Sequence, residues 1–238
     1  MKRLTALALI LALAACKQDQ PPPSQKIAQA ADQLIAKASG MPPAIMLGEG
    51  AYAPRDECAA IPGAAEFRKQ LAAVVGERDV EGLVALVAND VRLDFGGGEG
   101  ANLLRAHLLQ SDRSLWDELD DVLALGCAGN GQGGITLPWY FEQDFGSIDP
   151  MMGMIVRGEK IPLRSAPEKD AEEMRALSWD VVQLVDGLQP GAPFQRVRLA
   201  DKTEGYIETA QLRSLIGYRV IASSRNGKWS ITSLASGD

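Results

Sequence analysis

Few side chains in this sequence can do acid–base, nucleophilic or metal chemistry. There is one histidine, His107, and there are three cysteines, Cys16, Cys58 and Cys127. Zinc centres draw on several His or Cys ligands at set spacings, and His107 has no second histidine to share an ion with, so no metal site is expected. With Leu103, Leu104 and Leu108 around it, His107 reads as a half-buried residue of a helix. The densest acidic group is Asp117, Glu118, Asp120 and Asp121, of which Asp117, Asp120 and Asp121 share one helical face. Two carboxylates with pKa values split by burial could serve as acid and base. A solvated face beside a helix N-terminus is the plainer expectation. Gly96-Gly97-Gly98-Glu99-Gly100 lacks the Lys-Ser/Thr ending of a phosphate loop, and Glu99 would repel phosphate. It reads as a permissive turn, and no cofactor is expected. Leu137-Pro138-Trp139-Tyr140-Phe141, the densest aromatic run, would either line a groove or plug a core.

The N-terminus carries a different kind of chemistry. Met1-Lys2-Arg3 is basic, and Leu4 to Ala15 is apolar apart from Thr5. Twelve helical residues reach roughly 18 Å, short of a hydrocarbon core of ~30 Å, so residues 1–15 read as a signal peptide and not a membrane span. Leu13-Ala14-Ala15-Cys16 resembles the lipobox of bacterial lipoproteins. The resemblance implies that Cys16 is acylated and becomes the first residue of the mature chain. Lys17 after it implies outer-membrane sorting facing the periplasm. Several acyl chains would make that membrane attachment stable. Loss of Lys2 and Arg3 takes the formal net charge from −7 to −9. Outside the cytoplasm the remaining pair, Cys58 and Cys127, reads as a disulfide, with a reactive thiol as the competing reading.

These groups need elements to hold them. Residues 16–57 read as anchor and linker, with Pro21-Pro22-Pro23 as a stiff spacer and one short helix over Ile27–Ser39. Residues 58–148 read as a helix-rich α+β domain. Ala64–Gly76 carries Phe67, Leu71, Val74 and Val75 on one stripe, and Asp79 can cap a second helix through Val87. Val91–Phe95 alternates as a strand, and helices follow over Ala101–Gln110 and Leu115–Leu125. The order helix, helix, strand, turn, helix resembles the opening of the nuclear transport factor 2-like (SnoaL-like) fold. That resemblance implies a pocket able to hold a small ligand, with acids near Asp94 or in the 117–121 cluster.

Residues 149–214 change character. Ile155–Leu163, Ser178–Val185, Phe194–Leu199 and Asp201–Ile207 are short strands with turn signals between them, the pattern of a small all-β barrel. Val156, Leu163, Arg164, Ser165 and Pro167, then Phe194, Val197, Asp201, Thr203, Gly205, Tyr206 and Ile207, resemble the bacterial SH3-like domain. Phe194 and Tyr206 stand where that family has tryptophans, and Lys202 stands where it has a turn glycine. In residues 215–238, Asn226-Gly227 between two alternating runs predicts a β-hairpin. It either extends the barrel, the simpler case, or returns to the first domain.

The fold class expected is therefore α+β: a helix-rich N-terminal domain, then a small all-β SH3-like barrel with an extra C-terminal hairpin. An acidic chain argues against a nucleic-acid partner, which needs a concentrated basic face. The expected function is non-catalytic: an envelope lipoprotein whose SH3-like module binds a cell-wall (peptidoglycan) peptide or a partner protein. Trp139, Tyr140, Phe194 and Tyr206 are its candidate ligand contacts. The alternative is a tethered SnoaL-like domain that binds or transforms a small ligand.

Overall fold

A computed structural model describes residues 45–94, 98–110 and 115–237. The expected signal peptide over residues 1–15, Cys16 and the expected helix over Ile27–Ser39 lie outside the described residues, as do Phe95, Gly96 and Gly97.

Two short strands, β1 (Ile45–Met46) and β2 (Arg55–Asp56), pair as a small ribbon ahead of a 3-10 turn at Cys58–Ala60. Helix α1 (Ala64–Gly76) follows, burying Ala64, Phe67, Leu71 and Val75, a spacing that returns to one face every turn or two. The Asp79 side chain accepts from the Gly82 N–H at 2.9 Å and so caps α2 (Val80–Ala85). After β3 (Val87–Arg92) come α3 (Ala101–Leu108) and α4 (Leu115–Ala124). Helix α4 turns Trp116, Leu119 and Val122 inward. The glycine-rich stretch after α4 forms β4 (Ala128–Gly129) and β5 (Ile135–Leu137), then a 3-10 turn at Trp139–Glu142.

Seven strands come next: β6 (Gly153–Val156), β7 (Ile161–Arg164), β8 (Glu173–Leu177), β9 (Val181–Leu184), β10 (Phe194–Arg198), β11 (Glu204–Glu208) and β12 (Leu212–Ser214). They form one antiparallel sheet in the order β12-β6-β9-β10-β11-β7-β8. All seven contribute to a single apolar cluster that includes Val156, Leu163, Leu177, Val182, Val197, Ile207 and Leu212. Gly205 is required where it stands, because a Cβ there would lie 2.7 Å from Leu163 Cγ and 2.8 Å from the Arg164 carbonyl.

The chain then returns. Strands β13 (Arg219–Arg225) and β14 (Lys228–Ala235) form a hairpin closed by Asn226 and Gly227, both at positive φ, with Arg225 opposite Lys228. The hairpin sits in the middle of a five-stranded sheet ordered β3-β14-β13-β5-β4. β14 runs parallel to β3, and β13 antiparallel to β5. Trp229 of β14 stacks on Phe67 of α1 at 5.8 Å and donates to the Pro62 carbonyl at 3.1 Å. Residues of α1 to α4 and of this sheet share one core.

This overturns the expected fold class. Among the described residues the molecule is mostly sheet, with four short helices, and it is not a helix-rich N-terminal domain followed by a small SH3-like barrel with an appended hairpin. Two physical causes account for the difference. Hairpin pairing partners lie far away in the chain, beside β3 and β5, and no local pattern encodes a contact at that separation. The run Ile155–Leu163, read as one strand, is broken between β6 and β7 by a turn with Gly158 and Lys160 at positive φ. Its two halves end up apart in the seven-stranded sheet, separated by β9, β10 and β11.

Candidate functional site

Helix α4 lies where the two sheets meet, and its inward stripe decides where its acids go. With Trp116, Leu119 and Val122 buried, Asp117 and Asp120 fall on one flank, while Glu118 and Asp121 fall on the other. On the first flank Arg78 reaches Asp120 at 2.6 Å and Asp117 at 3.6 Å. On the second, Arg157 beside β6 grips Asp121 with two bonds of 2.8 and 2.9 Å. Arg213 of β12 reaches Glu118 at 3.2 Å and Asp121 at 3.5 Å. The solvated-face reading holds for Asp117 and Asp120, which are exposed, and fails for Glu118 and Asp121, which are half-buried against the seven-stranded sheet. Each of its four carboxylates is paired with an arginine from elsewhere in the chain.

Arg213 is the centre of this arrangement. Only 8% exposed, it also donates from Nε to the Tyr140 hydroxyl at 3.1 Å and from Nη2 to the Tyr218 carbonyl at 3.1 Å. Burial pushes the Tyr140 phenol up from its ordinary value, against the pull of Arg213, so the hydroxyl stays neutral. The Tyr140 hydroxyl in turn donates to the Ser214 carbonyl at 3.4 Å.

Beside this network lies a pocket of about 190 Å³, open to solvent on one side. Its described lining is His107 and Gln110 from the end of α3, Leu115 and Glu118 from α4, and Tyr218 just before β13. The fold therefore brings the lone histidine and one acid of the 117–121 group to the same opening. The described lining thus offers hydrogen-bonding groups and one carboxylate beside an apolar wall.

The remaining candidates are dispersed. Cys58 and Cys127 form a fully buried disulfide, which leaves neither sulfur free to attack. Trp139 and Tyr140, 3% and 2% exposed, pack with Leu125, Ala128, Ile155 and Leu215 between the sheets, and Arg55 lies 4.6 Å over the Trp139 ring. They plug a core and line no groove. Phe194 is buried on β10 opposite Glu208, and half-buried Tyr206 sits on β11 opposite Arg196. These four aromatics do not converge. Asp94 closes a turn by accepting the Gly98 N–H at 2.7 Å. Sequence reasoning missed Arg157 and Arg213, whose carboxylate partners are distant in the chain, and Gln110 and Tyr218, which only the fold brings to one opening.

A scan against protein-family models finds no match, and a search of curated proteins finds none. Among solved structures the chain is similar to an NTF2-like protein of unknown function from Pseudomonas putida KT2440. The identity is 13%, the TM-score is 0.25, and the match covers 74% of this chain and 84% of that one. That protein carries the name of the fold family which the order helix, helix, strand, turn, helix resembles.

Proposed function

We propose that the chain is a lipid-anchored protein of the cell envelope, attached through Cys16 to the outer membrane on its periplasmic side. It acts by binding a peptidoglycan component or a partner envelope protein, not by catalysis. The observation that carries this reading is the state of the carboxylates best placed for chemistry: Asp117, Glu118, Asp120 and Asp121 are all committed to arginines. The interior between the helices and the five-stranded sheet adds support. A small-ligand enzyme would keep a closed apolar cavity there with an acid pointing inward. Instead Phe67, Leu71, Leu104, Leu119, Val220 and Ile231 are buried in one cluster. The buried disulfide agrees with an oxidising compartment.

The test is retention of the purified mature protein on isolated sacculi, run beside a crosslinking pull-down from envelope extract. Saturable retention on sacculi, or one reproducible crosslinked envelope protein, is the expected result. Absence of both removes the binding role.

A further inference from the structure

The pocket between α3, α4 and Tyr218 carries polar groups that the fold does not use. Among the described residues, the His107 imidazole, the Gln110 side-chain amide and the Tyr218 hydroxyl have no hydrogen-bond partner, although all three line the same opening. Glu118 is held in place by Arg213, and Leu115 supplies an apolar wall. An imidazole offers one donor and one acceptor, an amide and a phenol each do both, and a carboxylate only accepts.

That set separates ligand classes. A phosphate or carboxylate would accept only, and it would face the Glu118 charge. An ammonium group would donate only, making no use of the Gln110 and Tyr218 donors and competing with Arg213 for Glu118. A polyhydroxyl ring donates and accepts around its rim, and its C–H face can lie on an aromatic ring. The size points the same way. A pocket of about 190 Å³ is smaller than the roughly 300 Å³ at which sites for whole ligands begin, so it admits one ring of a longer molecule.

We propose that this pocket binds a single sugar ring of a glycan, with His107, Gln110, Tyr218 and Glu118 as its hydrogen-bonding partners. The inference deepens the binding role above and rests on it for the source of the sugar, a cell-wall glycan strand and not the peptide attached to it.

The experiment is an NMR titration of the full mature chain with the trisaccharide of N-acetylglucosamine, repeated with a synthetic stem peptide that carries no sugar. Saturable shifts at His107, Gln110 and Tyr218 with the trisaccharide are expected. Tyr218→Phe, which keeps the ring and removes one hydroxyl, should weaken binding by about tenfold, and Gln110→Ala by a similar factor. No saturable shift at these residues, or binding untouched by both substitutions, overturns the site. Pocket shifts from the stem peptide alone overturn the ligand class. The two readings fail separately. Sacculi that retain Tyr218→Phe as well as the parent leave the binding role standing and sink the pocket. A trisaccharide bound in the pocket by a protein that sacculi do not retain does the reverse.

Discussion

Arg213 carries a charge into a place with little water, and its cost of burial is met by four separate oxygens: Glu118, Asp121, the Tyr140 hydroxyl and the Tyr218 carbonyl. Removing the cation takes a donor from Glu118, Asp121 and the Tyr140 hydroxyl together, although Arg157 still holds Asp121. Arg213→Ala should therefore cost about 3 kcal/mol, at the lower end for a broken buried pair because Glu118 and Asp121 keep contact with solvent. A lowered urea midpoint at unchanged slope would show it. Asp201 gives a pH-dependent counterpart. The Thr203 N–H and hydroxyl, with Arg175 at 2.9 Å, hold its carboxyl down to about 2 from an ordinary 3.8. A folded-state value below the unfolded one means stabilisation that is present above about pH 4 and lost as the pH falls through about 2. The melting temperature of Asp201→Ala should fall below that of the parent at pH 6 and converge on it near pH 2. At this scale the sequence was legible where chemistry is local or countable. Two cysteines left in an oxidising compartment imply their own bond. Arg213 was silent, because its carboxylate partners lie 92 and 95 residues away.

Elements were legible where one face alone decides them. The buried set Ala64, Phe67, Leu71 and Val75 and the Asp79 cap are readable from spacing and residue type, and Asn226-Gly227 turns a hairpin as its conformational freedom requires. Boundaries failed where tertiary pairing overrides propensity. β3 begins at Val87, inside the stretch read as the end of a helix, because β14 runs beside it and Ile231 donates to the Leu86 carbonyl at 2.8 Å. The disulfide acts between elements: it ties the 3-10 turn ahead of α1 to the residue that enters β4, across a sequence separation of 69. Replacing both cysteines by serine removes that constraint from the unfolded chain and should cost about 4 kcal/mol by the loop-entropy estimate. Urea unfolding of the double variant, compared with the oxidised parent, measures it.

At the scale of the molecule, the last hairpin lies between strands from the first half of the chain, so the five-stranded sheet cannot be completed until residues 219–235 arrive. The seven-stranded sheet is a long excursion made before that closure, and α4 with its acids faces both layers. None of this closure is written in periodicity, which reports burial and not partners; the first half therefore read as a helix-rich α+β domain, and the hairpin's return to it, which the sheet order shows, stood as the alternative to its extending the barrel. The proposed lipid attachment and access to peptidoglycan both require export and acylation at Cys16, and export would place the Cys58–Cys127 bond in an oxidising compartment. Intact-mass measurement of the protein from its native cell, after alkylation without reductant, tests this most directly. The account predicts a chain that begins at Cys16, carries the mass of its acyl groups and takes up no alkylating agent at Cys58 or Cys127. An unacylated chain that still begins at Met1, with all three thiols alkylated, would contradict it.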